Sequence, residues 1–203
     1  MRRLLLRVVL LVASAVPLPA AGFAASAGLL AIASARAAFA QAPRFDLSAW
    51  TMVGDANISV DGDVAQADRG PGFLVTPQQF GDFEMTVDVF VAAGANSGVF
   101  IRSTDPKKPT VESGYEVNVF DTRPDQTYRT GSIVNVAKPI AKVDADGKWN
   151  TLEITARGPK LTVVVNGVTT VNEADDARFP KGHIALQFGS GVVKFRNVRI
   201  RPL

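Results

Sequence analysis

The chain has 203 residues, of which 47% are hydrophobic, with 22 basic against 19 acidic side chains, one histidine and no cysteine. Four of the basic residues and none of the acidic ones fall in the first 40, which leaves 18 against 19 beyond them and a charge near −1. That balance gives no evidence for a nucleic-acid partner, which needs clustered Lys and Arg, and none is expected; the lack of cysteine excludes disulfides, so the core must carry stability unaided.

Residues 1–40 read as a secretory signal peptide. Arg2, Arg3 and Arg7 accompany apolar runs, and Ala38-Phe39-Ala40 has the small-x-small pattern read by signal peptidase. The alternative is a retained anchor, but Arg7, Pro17 and Pro19 interrupt the about 20 consecutive apolar residues that a spanning helix needs. No cysteine follows to carry a lipid. Residues 41–203 fit one domain with a substantial core. The expected location is the periplasm or the exterior, with no membrane partner once the leader is cleaved.

Beyond the leader the predicted elements are nearly all β. Phe83 to Val91 alternates, with Met85, Val87 and Val89 on one face and Glu84, Thr86 and Asp88 on the other. Ser97 to Ser103 and Tyr115 to Phe120 follow. Leu152 to Ala156 and Leu161 to Val165 flank a hairpin connection at Arg157-Gly158-Pro159-Lys160, and Asn166-Gly167 opens a second tight turn into Val168 to Val171. A short turn of helix is expected around Glu173 to Arg178. His183 to Phe188 and Val192 to Ile200 close the chain. Short alternating runs between turn signals predict an all-β sandwich. Two segments, Thr104 to Ser113 and Thr122 to Thr130, are long, polar and proline-containing, the kind of loop that carries binding function over a rigid sheet.

Parity along the strands selects the candidate site. Asn96, Gly98, Phe100 and Arg102 share one face of their strand; Glu116 and Asn118 oppose the apolar Tyr115, Val117 and Val119; Gln187 opposes Ile184, Leu186 and Phe188. If these strands are neighbours, Arg102, Glu116, Asn118 and Gln187 line one surface. Amides and a charged fork suit paired hydrogen bonds to sugar hydroxyls. The alternative is a solvated sheet face with an Arg–Glu cross-strand pair, worth little.

Other chemistries find less support. One histidine and no cysteine give zinc at most one strong nitrogen or sulfur ligand. A Ser-His-Asp triad could use only His183, and no Gly-x-Ser-x-Gly elbow exists. Asp144-Ala145-Asp146-Gly147 resembles the start of a calcium loop but lacks the acidic ligand at EF-hand spacing, and both it and Asp61-Gly62-Asp63 read as turns. No cofactor is called for; a divalent metal held by carboxylates of the long loops stays open.

Eight segments together carry a family resemblance: GDFEMTVDVFV from Gly81, NSGVFIRS from Asn96, GYEVNVFD from Gly114, TGSIVNV from Thr130, KWNTLEI from Lys148, VNG from Val165, IALQ from Ile184 and FRNVRI from Phe195. The sequence resembles the DUF1080 family, the 3-keto-disaccharide hydrolase domain. The resemblance implies a concanavalin A-like jelly-roll β-sandwich of two antiparallel sheets, exported to the periplasm and acting on glycosides already oxidised at C3. Such a keto group acidifies the C2 proton, so a base can start elimination of the aglycone from C1, and water addition completes a hydrolysis. On the matching positions, Glu116 is the expected base and Arg102 the stabiliser of the enolate. Asn96, Asn118 and Gln187 are the expected sugar contacts, Phe100 packs on the ring, and Asp121 is an alternative base or metal ligand. Glu116 is expected to be exposed. Family members often have Gln where this chain has Asn118, Tyr where it has Val134, and His-Gly soon after the Leu-Gln pair, where this chain has Phe188-Gly189. A non-catalytic carbohydrate-binding module of the same fold is the alternative function.

Overall fold

Alternation of apolar and polar residues becomes twelve strands in the computed structural model, which describes residues 46–203. The leader lies outside the described residues. The strands are β1 Thr51–Gly54, β2 Ile58–Asp61, β3 Val64–Ala67, β4 Gly72–Val75, β5 Phe83–Val91, β6 Asn96–Ser103, β7 Tyr115–Val119, β8 Lys148–Arg157, β9 Lys160–Val165, β10 Val168–Asp175, β11 His183–Ser190 and β12 Val193–Pro202. They form a five-stranded sheet in the order β1-β4-β11-β6-β7 and a seven-stranded sheet in the order β10-β9-β8-β5-β12-β3-β2. The paired strands of both sheets run antiparallel. The only described helical elements are two 3-10 turns, Leu47–Ala49 and Gln126–Tyr128.

Inward residues of both sheets form one core. Every second residue of β5 is buried, from Phe83 to Val91, and these pack with Val99, Ile101, Val117 and Leu186 of the smaller sheet. Full burial of such side chains contributes about 1.5–3 kcal/mol each, so the alternation fixes which side of each strand faces in. Asn166 and Gly167 both take positive φ, 52° and 79°, as a two-residue turn between β9 and β10 requires.

Two expectations change here. Glu173 to Asp175 does not form a turn of helix but ends β10, an edge strand whose pairing with β9 is irregular. Residues 51–75 hold four strands that alternation did not reveal. Each has only four residues, and β1 and β2 are edge strands with most side chains exposed, so neither shows a period of two in hydrophobicity.

Candidate functional site

The outward face of the smaller sheet carries two rows of side chains set by strand register. The first runs Val53, Phe73, Gln187, Gly98, Asn118, in direct cross-strand register from β1 to β7. The second runs Thr51, Val75, Ala185, Phe100, Glu116 in the same strand order. Beyond β7 the chain returns alongside it: Val117 bridges Ile133, and Asn118 and Glu116 bond through their backbones to Ser132 and Val134. Ser132 therefore extends the first row and Val134 the second.

Gly98 brings no side chain to the first row, and the Glu116 and Gln187 side chains close over it. A Cβ added there would stand 3.1 Å from Glu116 Oε1 and 3.2 Å from Gln187 Oε1. The side chains beside it carry polar atoms without partners. Gln187 Oε1, Asn118 Oδ1 and Ser132 Oγ are all buried and unbonded. Asn118 Nδ2 donates to the Tyr128 carbonyl at 2.6 Å, so its amide orientation is fixed. Asn96 lies on the same face, two residues before Gly98 along β6, with Nδ2 against Gly189 of β11 and Oδ1 unbonded. Asn118 and Ser132 are fully buried, so of these polar residues only the half-buried Asn96 and Gln187 open to the surface of the face, and each unmet buried group costs roughly 1–3 kcal/mol.

Glu116 is the charged member of this face. It is 8% exposed, contrary to the exposed carboxylate read from parity. Its carboxyl makes no hydrogen bond to a described residue. Burial pushes its pKa up from the ordinary 4.5 to about 7, against a smaller opposing pull from Arg123. Such a carboxyl is half ionised near neutral pH, the condition for a general base.

Arg102 is not part of the site. Between His183 and Ala185 of β11, β6 advances three residues, from Ser103 to Phe100, so Ile101 and Arg102 together oppose Ile184. Arg102 takes φ +52° at this bulge and turns to the inner side. There it is 1% exposed, donates Nε to the Gly81 carbonyl at 2.8 Å and Nη1 to the Gly158 carbonyl at 2.7 Å, and pairs with Asp82 at 3.0 Å. All three partners stand at strand ends of the larger sheet.

Asp121 is also committed elsewhere. Its Oδ1 accepts from the Thr130 hydroxyl at 2.5 Å, and its Oδ2 accepts from the backbone N–H of Ala145 and Asp146 at 2.6 and 2.9 Å. It ties the loop after β7 to the approach to β8 and is no longer a candidate base or metal ligand. Asp144 pairs with Arg129, and Asp146 accepts from the Gly94 N–H, so the Asp144–Gly147 segment is a braced turn. Among the described residues no group of three or more His, Asp or Glu side chains is placed to hold a metal ion. His183 Nδ1 donates to the Thr76 carbonyl at 2.7 Å, a structural role.

Phe100 is 2% exposed and meets Phe73 edge-on, with ring centroids 5.6 Å apart. It lies on the same outward face but is covered there, so it is not open to a sugar ring, while the half-buried Phe73 is the aromatic ring that a ligand can reach. Both long loops converge here. Val111, from the first, packs on the Phe100 cluster, and Arg123, from the second, acts on Glu116 through its charge. Strand parity selects neither Phe73 nor Arg123. Phe73 sits in a four-residue strand, and a loop arginine has no periodicity to expose it.

A family profile, described as a 3-keto-alpha-glucoside-1,2-lyase-like domain, matches residues 43–201. The chain belongs to that family. No curated protein matches the sequence. Among solved structures, a candidate glycosyl hydrolase from Parabacteroides distasonis superposes with TM-score 0.67 at 20% identity, covering 78% of this chain and 90% of that one. The carbohydrate-binding module CBM66 from Bacillus subtilis gives TM-score 0.60 at 19% identity, with 75% and 95% covered. A Bacillus subtilis protein of unknown function with a galectin-like fold gives 0.54 at 14% identity, with 76% and 90% covered. At these identities the likeness is one of fold, and the fold is the concanavalin A-like sandwich expected from sequence. Within this family member the position after Gln187 is Phe188, 1% exposed and packed edge-on against Phe195 in the core, so no imidazole reaches the face from there.

Proposed function

We propose that this 3-keto-alpha-glucoside-1,2-lyase-like domain is an exported enzyme that cleaves 3-keto-glycosides, with Glu116 as the base. The observation that carries this reading is the Glu116 carboxyl, buried and unbonded beside unpaired amides, with its pKa raised to about 7. A 3-keto group withdraws electrons from C2. Glu116 takes the C2 proton, the electron pair forms the C1–C2 double bond, and the C1–O bond breaks with the aglycone oxygen taking a proton. Addition of water across the resulting enone gives the free 3-keto sugar, so the sum is a hydrolysis. Arg123 replaces Arg102 as the cation that steadies the charge on the C3 oxygen. Gln187 and Asn96 hold ring hydroxyls, the fully buried Asn118 braces the strand through its bond to the Tyr128 carbonyl, and Phe73 offers the apolar contact.

A second reading, a carbohydrate-binding module without turnover, is favoured by one observation. Besides Arg123, the described side chains of the face supply no charged donor for the leaving oxygen. Incubating the protein with 3-keto-trehalose or 3-keto-sucrose separates the two. Release of free sugar that is lost in Glu116→Gln supports the enzyme; binding without release, at metal-free and metal-supplemented conditions alike, supports the module.

A further inference from the structure

The outer side of the larger sheet carries a polar cavity of its own. Ser59 of β2, Gln66 of β3, Lys194 of β12, Phe90 of β5 and Trp149 of β8 stand in direct cross-strand register. Their neighbours along β3 and β12, Ala65, Ala67, Val193 and Phe195, are core, so this row faces out. At its β2 end the row borders a cavity of about 220 Å3, lined by Ser59, Gln66 and Lys194 together with Asn57 just before β2 and Asp68 just after β3. The polar groups in it are not spent on one another. The Ser59 hydroxyl and the Gln66 amide make no hydrogen bond to a described residue. Asp68 accepts only a long bond from Asn57 Nδ2, 3.4 Å, and forms no ion pair with Lys194. The Lys194 ammonium is held instead over the Phe90 ring, 5.7 Å from its centroid, and Phe90 in turn meets Trp149 at 5.9 Å.

The set of donors and acceptors selects the ligand. The ammonium only donates, the carboxylate only accepts, and the hydroxyl and the two amides do both. An anion would meet Asp68 and a cation would meet Lys194, so neither finds a matched seat. A neutral polyol does, because each of its hydroxyls gives one hydrogen and accepts another. The volume is below the about 300 Å3 at which sites for drug-sized ligands begin, which leaves room for a single ring. We propose that this cavity is a second carbohydrate site, taking one neutral sugar ring on the opposite sheet from Glu116. Asp68 accepts from two adjacent hydroxyls, Lys194 donates to a third, and Gln66 sets the orientation of the ring. The site stands whether or not Glu116 acts as a base, because the two faces share no residue.

The test uses the full chain labelled with 15N. Methyl glycosides of glucose, galactose and mannose are titrated, and the side-chain amides of Asn57 and Gln66 are followed by NMR. At least one glycoside should shift both amides to saturation. Asp68→Asn should weaken that binding about tenfold or more, as loss of a charged acceptor does, with thermal stability unchanged because the side chain is exposed. Amides that none of the three glycosides moves overturn the proposal, as do shifts that keep full affinity in Asp68→Asn. Glucuronate and inorganic phosphate probe the charge argument. Tighter binding of either than of the best glycoside overturns the neutral site in favour of an anion site at Lys194. Glycerol is the control for size, and equal shifts from glycerol at the same concentration overturn the sugar ring as the ligand.

Discussion

Arg102 on β6 and Asp82 at the entry to β5 join the two sheets, with Nη2 3.0 Å from Oδ1. Burial lowers the Arg102 pKa, yet an arginine stays charged at any accessible pH, so its hydrogen bonds to Gly81 and Gly158 are charge-assisted. Truncating one side of such a buried arrangement leaves carbonyls without donors. Arg102→Met should cost about 3 kcal/mol or more in urea unfolding, and Arg102→Lys should recover little because an ammonium cannot reproduce the fork. Sugar affinity of the folded variant should be unchanged; a selective loss of affinity at full stability would return Arg102 to the site.

Glu116→Gln should lower kcat/KM on a 3-keto-glycoside by about 10²–10⁴, the usual contribution of a positioned base. In the unmodified protein kcat/KM should rise with pH through a midpoint of about 7, where the carboxyl ionises. A rate that is flat from pH 5 to 9 would remove Glu116 from the role of base.

The same carboxyl makes stability depend on pH. Folded Glu116 keeps its proton to about pH 7, whereas the unfolded chain releases it near 4.5. The folded state therefore holds more protons between those values, and stability falls as pH rises through that window, by ~3 kcal/mol at most, then levels off. Chemical denaturation at pH 5 and pH 8 measures this. Glu116→Gln should flatten the trend and be the more stable protein at pH 8.

Gly98→Ala places a methyl group 3.1–3.2 Å from Glu116 and Gln187. Both side chains can shift by a few tenths of an ångström, and the strand backbone accepts alanine. Thermal stability should change by no more than about 1 kcal/mol, while sugar affinity should fall about tenfold as the Glu116 and Gln187 side chains are displaced. Calorimetry against methyl α-glucoside checks the second part.

Arg123 lowers the Glu116 pKa through its charge. Arg123→Met should raise the midpoint of the pH–rate profile above that of the unmodified protein, and Arg123→Lys should largely restore it. A lower rate at an unchanged midpoint would confine Arg123 to contact with the substrate.

Sequence by itself determined the sandwich and most of its inner faces. The alternation of β5, the apolar runs of β6, β7 and β11, and the Asn166-Gly167 turn are local signals, because a strand's period of two is written in neighbouring residues. It also brought Glu116, Asn118 and Gln187 to one face, since β7, β6 and β11 lie side by side and keep register from Phe100 to Ser97, and Asn96 shares that face by its place on β6. Only the tertiary structure decided the rest. A bulge of one residue sends Arg102 to the other side of the sheet, and no pattern in NSGVFIRS distinguishes a bulged strand from a regular one. Asp121 is claimed by two backbone N–H groups more than twenty positions away, and Arg123 reaches Glu116 from a loop, contacts that local sequence does not encode. Burial of Glu116, and with it a carboxyl that titrates near neutrality, comes from what the folded sheet and loops place around it, which is a property of packing and not of the residue.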